Sequence, residues 1–323
     1  MKIVITRESF ESHRDHLIAL APDAEWVILE DDASFDGDPK GSDILYWGVS
    51  VFGNNERFES VREQLGGTDL AWVQGPSAGV NHTIWSDLLD RGVRVTNASG
   101  IYAEPMAQYV NAWVLAWAQG LGGQLLRSQH HEWSPLPADD LTSATMGIVG
   151  YGGIGKACAR IAKAIGMRVV ATRRTPGSEP DVDQLLQPDQ LHQLLAESDY
   201  VVLTAPLTDA TLGLIGAEEL VAMGPGTVLI NVARGELIDE EALAEALHSG
   251  TLRGATIDVT HTEPLAPDSA LWDVPNLVIT PHQSGDGPRA QERLDALFVD
   301  NLGRYQRGEA LINEVFETGK TAS

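Results

Sequence analysis

The amino-acid sequence predicts an α/β protein built from two doubly wound parallel-sheet domains. Short apolar runs of four or five residues alternate with helical patterns, and this alternation occurs twice along the chain. Such runs are typical of strands that are buried on both faces of a parallel sheet. A chain of 323 residues is also too long for one ordinary compact domain and suits two domains of roughly 150 residues each.

The individual elements follow from local residue patterns. Five strands are predicted in the first half of the chain, at Lys2–Thr6, Trp26–Leu29, Ile44–Trp47, Ala71–Gln74 and Val93–Asn97. Six are predicted in the second half, at Met146–Val149, Arg168–Ala171, Tyr200–Thr204, Val228–Asn231, Ala255–Asp258 and Leu277–Thr280. The strongly apolar segment Tyr102–Leu126 predicts one long helix that leads from the first domain into the second. In the tail Pro288–Phe316, Leu294, Leu297 and Phe298 recur at helical spacing, which predicts a helix that returns to the first domain.

Composition excludes several classes of partner. The net charge of -24 argues against a nucleic acid or an anionic membrane surface, because both are bound by clustered lysine and arginine. No apolar stretch approaches the roughly 20 residues that span a bilayer, and Met1–Thr6 is typical of a first strand rather than a signal peptide. We therefore expect a cytoplasmic protein. The acidic excess suits either a high-salt cytoplasm or ordinary solubility, and the sequence leaves both open.

The sequence favours neither thiol nor metal chemistry. Cys158 is the only cysteine, so no internal disulfide and no thiolate metal cluster can form, and its position on a predicted helix favours a core residue. His130, His131 and Glu132 are adjacent, but neighbouring side chains diverge and no third ligand pattern follows. We therefore predict no metal site.

A glycine-rich turn follows the first strand of the second domain. The pattern Gly150-x-Gly152-x-x-Gly155 lies between that strand and a helical pattern from Lys156 to Gly166. Glycines allow the backbone to turn sharply and to approach a pyrophosphate, and the helix start offers N–H groups and a positive dipole end. The turn predicts a dinucleotide site, although such a loop alone is weak evidence.

Three later strands end in residues that can act on a small acid. Arg234, Glu263 and His282 each follow a predicted strand directly, at the edge where open α/β sheets bind ligands. A guanidinium can hold a carboxylate through two hydrogen bonds, and a carboxylate beside an imidazole favours the charged imidazolium that donates a proton. By position alone Arg234 could equally form a surface salt bridge. His261 and His192 have no such partner pattern and are interpreted as bystanders.

Taken together, these motifs resemble the D-isomer-specific 2-hydroxyacid dehydrogenase family over essentially the whole chain. Besides the glycine turn, the matching patterns are Thr204-Ala-Pro206-Leu-Thr208-x-x-Thr211, Asn231-x-x-Arg234-Gly235, Gly254-Ala-x-x-Asp258-Val259, Glu263-Pro264-Leu265 and Pro281-His282. The resemblance implies that Arg234 holds the substrate carboxylate and carbonyl. It further implies that His282 is the acid/base and that Glu263 orients it.

The resemblance also implies a domain arrangement. A Rossmann coenzyme domain, residues 99–287, is expected to be inserted into a flavodoxin-like substrate domain, residues 1–98 plus 288–323. The segment Ser77–Val80 resembles the family's substrate loop, in which the amides of Ala78 and Gly79 bind the carboxylate, although Gly79 also suits a simple turn after a strand. A homodimer through the coenzyme domains is implied as well.

The coenzyme residues implied by the resemblance include a departure that favours NADP over NAD. Eighteen positions after Gly155, where NAD-preferring relatives carry an aspartate, this chain has Arg173, followed by Arg174 and Thr175. An aspartate would repel a 2′-phosphate, whereas two guanidinium groups attract it. The full implied set is Gly150, Tyr151, Gly152, Gly153, Ile154, Gly155, Arg173, Arg174, Thr175, Ala205, Pro206, Thr211, Val232, Ala233, Asp258, His282 and Ser284.

The function expected from the sequence is the reduction of small 2-oxo acids to D-2-hydroxy acids, with glyoxylate, hydroxypyruvate or a short aliphatic 2-oxo acid as substrate. Formate dehydrogenases share the fold but place Gln where Glu263 stands, which disfavours their reaction. A 3-phosphoglycerate dehydrogenase is the alternative enzyme. A coenzyme-sensing, corepressor-like interaction protein is the alternative of another class, although the chain lacks the basic or disordered segments that would recruit partners.

Overall fold

The structure is a computed structural model that describes residues 1–49, 60–61, 63–65, 70–79, 83–317 and 320–321. It divides into two compact units, the first formed by Met1–Tyr102 with Gly287–Ser323 and the second by Ala103–Asp286. The boundary after Tyr102 lies four residues beyond the boundary expected after residue 98. The reason is that Tyr102 donates a hydrogen bond to Pro76 O and Arg293 donates one to Ile101 O, which ties these residues to the first unit.

The first unit contains a seven-stranded sheet. Its strands are β1 Lys2–Thr6, β2 Glu25–Leu29, β3 Ile44–Tyr46, β4 Trp72–Gln74, β5 Arg94–Thr96, β13 Glu314–Glu317 and β14 Lys320–Thr321. The spatial order is β14-β13-β5-β4-β3-β1-β2, and β1 to β5 run parallel. The order 2-1-3-4-5 within these five strands is the flavodoxin-like arrangement. All five strands predicted for this unit are confirmed to within one residue at each end.

The second unit contains a fully parallel sheet of seven strands. They are β6 Thr145–Val149, β7 Arg168–Thr172, β8 Gln184–Leu186, β9 Tyr200–Leu203, β10 Val228–Asn231, β11 Gly254–Ile257 and β12 Leu277–Ile279. The order is β12-β11-β10-β9-β6-β7-β8, which is the doubly wound order with its switch point between β6 and β9. Ligands bind outside the carboxyl ends of the strands at such a point, and the glycine turn follows β6. The predicted fold class is confirmed.

Nine α-helices surround the two sheets in the described part of the chain. They are α1 Arg7–Leu20, α2 Thr83–Asp90, α3 Ala103–Ala118, α4 Leu121–Gln129, α5 Gly153–Ile165, α6 Leu191–Ala196, α7 Ala217–Met223, α8 Glu240–Ser249 and α9 Ala290–Gln306. The prediction of one helix over Tyr102–Leu126 is wrong, because Gly120 adopts a left-handed conformation with φ of 59° and separates α3 from α4.

The tail also differs from its prediction. The helix expected over Pro288–Phe316 ends at Gln306, and the chain then turns at Gly308, whose φ is 68°. The backbone continues into β13, which pairs antiparallel with β5. Arg94 on β5 forms a two-pronged ion pair with Glu314 on β13, at 2.6 and 2.9 Å, which fixes this added strand at the sheet edge.

The core of each unit lies on both faces of its sheet. In the second unit, Val201 and Leu203 of β9 pack in one apolar cluster, whereas Tyr200 and Val202 pack in another. This alternation is the period-2 pattern of a strand, and all four residues are fully or almost fully buried. Cys158 belongs to the second of these clusters, and burial raises the pKa of its thiol to about 12. At neutral pH the thiol is therefore a protonated core group.

No helix in the described ranges combines the length and the apolar character that crossing a bilayer would need.

Candidate active site and coenzyme site

The glycine turn joins β6 to α5 in the second unit. Gly150 has a φ of 100°, and a Cβ at this residue would lie only 2.5 Å from Ala205 N, so the position requires glycine. Thr204 donates a hydrogen bond to Gly150 O at 2.7 Å and ties the turn to the end of β9. Added Cβ atoms at Gly152 and Gly153 would meet no described atom within 4 Å beyond the local helix. The space beside this helix start is therefore open, and the first N–H groups of a helix have no partner within it, so the turn fits the pyrophosphate of a dinucleotide.

A charged cluster follows β7, at the position where coenzymes place the adenosine ribose. Arg173 Nη1 lies 2.5 Å from Glu179 Oε1, and Arg173 Nε donates to Thr175 O at 2.8 Å. The guanidinium lies over the buried ring of Tyr151, 5.9 Å from its centroid. Arg174 and Thr175 are both exposed. The sequence did not single out Glu179, which follows β7 by seven residues within a polar loop and matches no motif.

Most of the other predicted coenzyme-binding residues lie near the ends of β9 and β10 or within α5, whereas Asp258, His282 and Ser284 follow β11 and β12. Thr211 accepts a hydrogen bond from Thr208 N at 2.8 Å and donates one to Pro206 O at 2.7 Å, which closes the loop after β9. Ala205, Val232 and Ala233 are buried beside these strand ends. Ile154 packs against the apolar core beneath the glycine turn. These residues shape the floor of the predicted site through their backbone.

Arg234 lies on the loop after β10, next to the loop after β11. Asn231 holds this loop by donating to Arg234 O at 2.8 Å and accepting from Ala233 N at 3.0 Å. A Cβ on Gly235 would lie 2.2 Å from the carbonyl carbon of Thr260, so glycine lets the two loops pack backbone to backbone. The Arg234 guanidinium donates to Ala233 O and forms no ion pair with any described carboxylate. This partly buried cation is available to an anionic ligand.

Glu263 and His282 form a direct pair at the same edge of the sheet. His282 Nδ1 lies 2.7 Å from Glu263 Oε2, and their side chains are 49% and 38% exposed. Glu263 Oε1 accepts a hydrogen bond from Thr260 N at 3.1 Å, which holds the carboxylate against its own loop. Since Glu263 occupies Nδ1, Nε2 is the ring nitrogen left for a ligand.

The buried carboxylate of Asp258 holds the loop that carries His282. It accepts hydrogen bonds from Thr280 Oγ1 at 2.6 Å, Gln283 N at 3.0 Å and Ser284 N at 2.8 Å. The backbone N–H of His282 donates to Asp258 O at 2.8 Å. His282 itself has a φ of 52°, a left-handed conformation that is rare for a residue with a side chain. Asp258 therefore secures the backbone geometry that presents the imidazole.

Tyr109 on α3 also contacts the residues that hold the His282 loop. Thr280 Oγ1 gives its proton to Asp258, so Tyr109 must be the donor in the hydrogen bond between the two hydroxyl groups. Burial raises the pKa of the Tyr109 phenol, which keeps it protonated for this role. Sequence reasoning missed both residues, because their chain separation of 171 positions leaves no local signal.

The predicted substrate loop lies in the first unit, after β4. Ser77 Oγ donates to Gly79 O at 2.7 Å, and Asn97 donates from its side chain to Ala78 O at 2.9 Å. Both carbonyls of this turn are therefore engaged within the unit. The last residue of the predicted loop, Val80, lies outside the described residues.

The two histidines interpreted as bystanders, His261 and His192, have partners within the protein. His261 Nε2 lies 2.8 Å from Ile238 O, and its backbone N–H donates to Glu240. His192 pairs with Glu219 at 3.1 Å on the surface. Within the described ranges, no group of three or more histidine, cysteine, aspartate or glutamate side chains is arranged to hold a metal ion.

Comparison with known proteins identifies the family. The family model described as "D-isomer specific 2-hydroxyacid dehydrogenase, NAD binding domain" matches residues 112–284, more than half of the chain. The chain belongs to this family. It is therefore an oxidoreductase of the D-2-hydroxyacid dehydrogenase type, and the matched region is its nicotinamide-coenzyme domain. The predicted resemblance is confirmed.

Individual relatives agree with this assignment. The glyoxylate reductase of Thermococcus gammatolerans is 36% identical over 249 residues, which are 74% of this chain and 74% of that protein. A D-isomer specific 2-hydroxyacid dehydrogenase family protein from Aeromonas salmonicida superposes with a TM-score of 0.80 at 29% identity, covering 98% and 99% of the two chains. The NADPH-dependent glyoxylate/hydroxypyruvate reductase of Sinorhizobium meliloti, solved with NADP and sulfate, has a TM-score of 0.77 at 26% identity, with 97% of each chain covered.

Proposed function

We propose that this dehydrogenase reduces small 2-oxo acids to D-2-hydroxy acids and prefers NADPH as the reductant. Glyoxylate, hydroxypyruvate and short aliphatic 2-oxo acids are the proposed substrates. The observation that carries the proposal is the 2.7 Å pair of His282 Nδ1 with Glu263 Oε2, in which Glu263 belongs to the loop that packs against the loop of Arg234. An acid/base group, its carboxylate partner and a carboxylate-binding cation thus follow three neighbouring strands, β12, β11 and β10, at one sheet edge.

The roles of the three side chains follow from this geometry. Arg234 would hold the substrate carboxylate and polarise the keto oxygen through its fork of N–H donors. Glu263 would fix the ring through Nδ1, so that Nε2 donates its proton to the oxygen that gains negative charge. The reduced nicotinamide, when bound, supplies the hydride. Asp258 would maintain the backbone of the His282 loop during this proton transfer.

We propose that the first unit supplies further hydrogen-bond donors to the substrate carboxylate. We assign this role to the backbone amides of Ala78 and Gly79, with residues 1–98 and 288–323 as the substrate domain and 99–287 as the coenzyme domain. The engaged carbonyls of Ala78 and Gly79 support this role, because they fix the backbone of the turn that would present those amides.

The preference for NADPH rests on the residues that follow β7. Arg173, Arg174 and Thr175 supply two guanidinium groups and a hydroxyl where an acidic residue would repel a 2′-phosphate. The Sinorhizobium meliloti reductase, which is NADPH-dependent, supports this choice for a related fold.

We also propose a homodimer formed through the coenzyme domains. Leu121, Leu125 and Leu126 on α4 are 47%, 67% and 59% exposed, and the following Trp133 is fully exposed. Exposed apolar side chains in such a group are typical of an association surface. Light scattering after gel filtration should give twice the chain mass of 34.8 kDa. A mass equal to one chain would contradict the dimer without affecting the proposed reaction.

The reaction is tested directly with purified protein. NADPH and NADH oxidation is followed at 340 nm with a panel of glyoxylate, hydroxypyruvate, pyruvate and longer 2-oxo acids, and chiral chromatography determines the product configuration. The proposal expects turnover with at least one short 2-oxo acid and a D-configured product wherever the product is chiral. An absence of coenzyme oxidation across the panel, or an L-configured product, would contradict it.

A further inference from the structure

The cations proposed to bind a 2′-phosphate are already paired with a carboxylate of the protein. Glu179 Oε1 lies 2.5 Å from Arg173 Nη1 and 3.1 Å from Lys156 Nζ, so one oxygen accepts from both cations. The ring of Tyr151 lies beneath the two cations, 5.9 Å from Arg173 and 5.8 Å from Lys156. We call these four residues, Tyr151, Lys156, Arg173 and Glu179, the β7-end cluster.

The ion pair of Arg173 with Glu179 is partly shielded from solvent, whereas Lys156 is half exposed. The side chains of Arg173 and Glu179 are only 22% and 17% exposed, and that of Lys156 is 50% exposed. Arg173 and Lys156 lower the pKa of the Glu179 carboxyl, so it carries its charge throughout the neutral range. A guanidinium held by a partly buried carboxylate must lose or share that partner before it can bind a second anion.

The geometry of the cluster points to competition between two anions. We propose that Glu179 is a specificity-determining residue that competes with the 2′-phosphate of NADPH for Arg173 and Lys156. A phosphate monoester offers the same kind of anionic oxygen to the same two cations, whereas a coenzyme without this phosphate leaves the ion pair intact. Glu179 therefore weakens the binding of NADPH but not that of NADH, and so reduces the preference for NADPH. This inference rests on the proposed coenzyme site, but it concerns binding and requires no turnover.

The competition is measured with fragments that differ only in the 2′-phosphate. Isothermal titration calorimetry at fixed ionic strength compares 2′,5′-ADP with 5′-AMP for the wild type and for Glu179→Gln. The substitution keeps the side-chain size and removes the charge. It should tighten 2′,5′-ADP binding by about two- to fivefold, the range expected for release of a partly exposed ion pair. Binding of 5′-AMP should not tighten.

Asp181→Asn is the matched control. It removes one negative charge from the same loop, and Asp181 forms no hydrogen bond or ion pair with Arg173 or Lys156 in the described chain. If 2′,5′-ADP binds more tightly only because the loop carries less negative charge, this variant should bind it more tightly to the same extent. A double-mutant cycle with Arg173→Met adds a second check, because Glu179→Gln should have little effect once Arg173 is absent.

Three results would contradict the inference. They are unchanged or weaker binding of 2′,5′-ADP by Glu179→Gln, an equal gain in its binding by Asp181→Asn, and an equal gain in the binding of 5′-AMP by Glu179→Gln. If the wild type binds 5′-AMP and 2′,5′-ADP but Glu179→Gln has no effect, only the competition is wrong. If the wild type binds neither fragment, nor NADPH, nor NADH, the proposed coenzyme site itself is wrong.

Discussion

Removal of the charge on Glu263 should slow the reduction of 2-oxo acids. In Glu263→Gln the amide can still hydrogen bond to His282 Nδ1 and hold the ring, but it carries no charge to stabilise the imidazolium that donates the proton. We therefore expect kcat/KM to fall while coenzyme binding and folding remain unchanged.

The size of this loss follows from the geometry of the pair. His282 Nδ1 lies 2.7 Å from Glu263 Oε2, but the two side chains are 49% and 38% exposed, so solvent screening limits the pair to about 0.2–1 kcal/mol. Because each 1.36 kcal/mol of transition-state stabilisation is about tenfold in rate, we expect kcat/KM to fall by about two- to fivefold.

The assay is kcat/KM in the reductive direction at fixed pH and ionic strength. Glu240→Gln is the matched control, since Glu240 accepts a hydrogen bond from the backbone N–H of His261, on the same loop as Glu263, and its replacement removes the same charge. A kcat/KM that does not fall in Glu263→Gln, or that falls equally in Glu240→Gln, would refute the assigned role of Glu263.

Two further substitutions test the other side chains of the site. Arg234→Lys should lose about two orders of magnitude in kcat/KM for every 2-oxo acid, because an ammonium cannot reproduce the planar fork, while NADPH binding measured by fluorescence stays within about twofold. Poor coenzyme binding with normal turnover at saturation would instead place Arg234 in the coenzyme site alone. Arg173→Asp should invert the ratio of kcat/KM for NADPH and NADH, losing about ten- to hundredfold with NADPH at matched ionic strength. Equal values for the two coenzymes in the wild type would show that Arg173 does not discriminate between them.

Much of the fold could be predicted because strands buried on both faces leave a strong local signal. Runs such as Val228–Asn231 are short, apolar and bounded by turn residues. The strand β8 was missed because Gln184–Leu186 has only three residues, two of them partly exposed. The strand β13 was missed because its position depends on pairing with β5, more than 200 residues earlier in the chain. Pairings at such separation have no local pattern.

The candidate site, like the fold, could be predicted only in part from the sequence. Arg234, Glu263 and His282 could be predicted together because each lies in the loop after a strand, and the topology of a parallel sheet brings such strand ends to one edge. The supporting contacts could not be found in this way. The hydrogen bond of Tyr109 to Thr280 and the ion pair of Glu179 with Arg173 depend on how helices and loops pack, and neither follows from residue spacing. Sequence patterns thus predict candidate reacting groups better than they predict the residues that contact those groups.

The central claim is that His282 donates the proton in the reduction of a 2-oxo acid, and single-turnover measurements on His282→Ala test it most directly. Enzyme saturated with NADPH is mixed with excess glyoxylate or hydroxypyruvate, and the decay of reduced coenzyme is followed by stopped flow. The account predicts that the rate of this step falls by about two to four orders of magnitude, while the Kd for NADPH and the thermal midpoint remain close to those of the wild type. A rate within about threefold of the wild type, with the coenzyme bound and the protein folded, would contradict the claim.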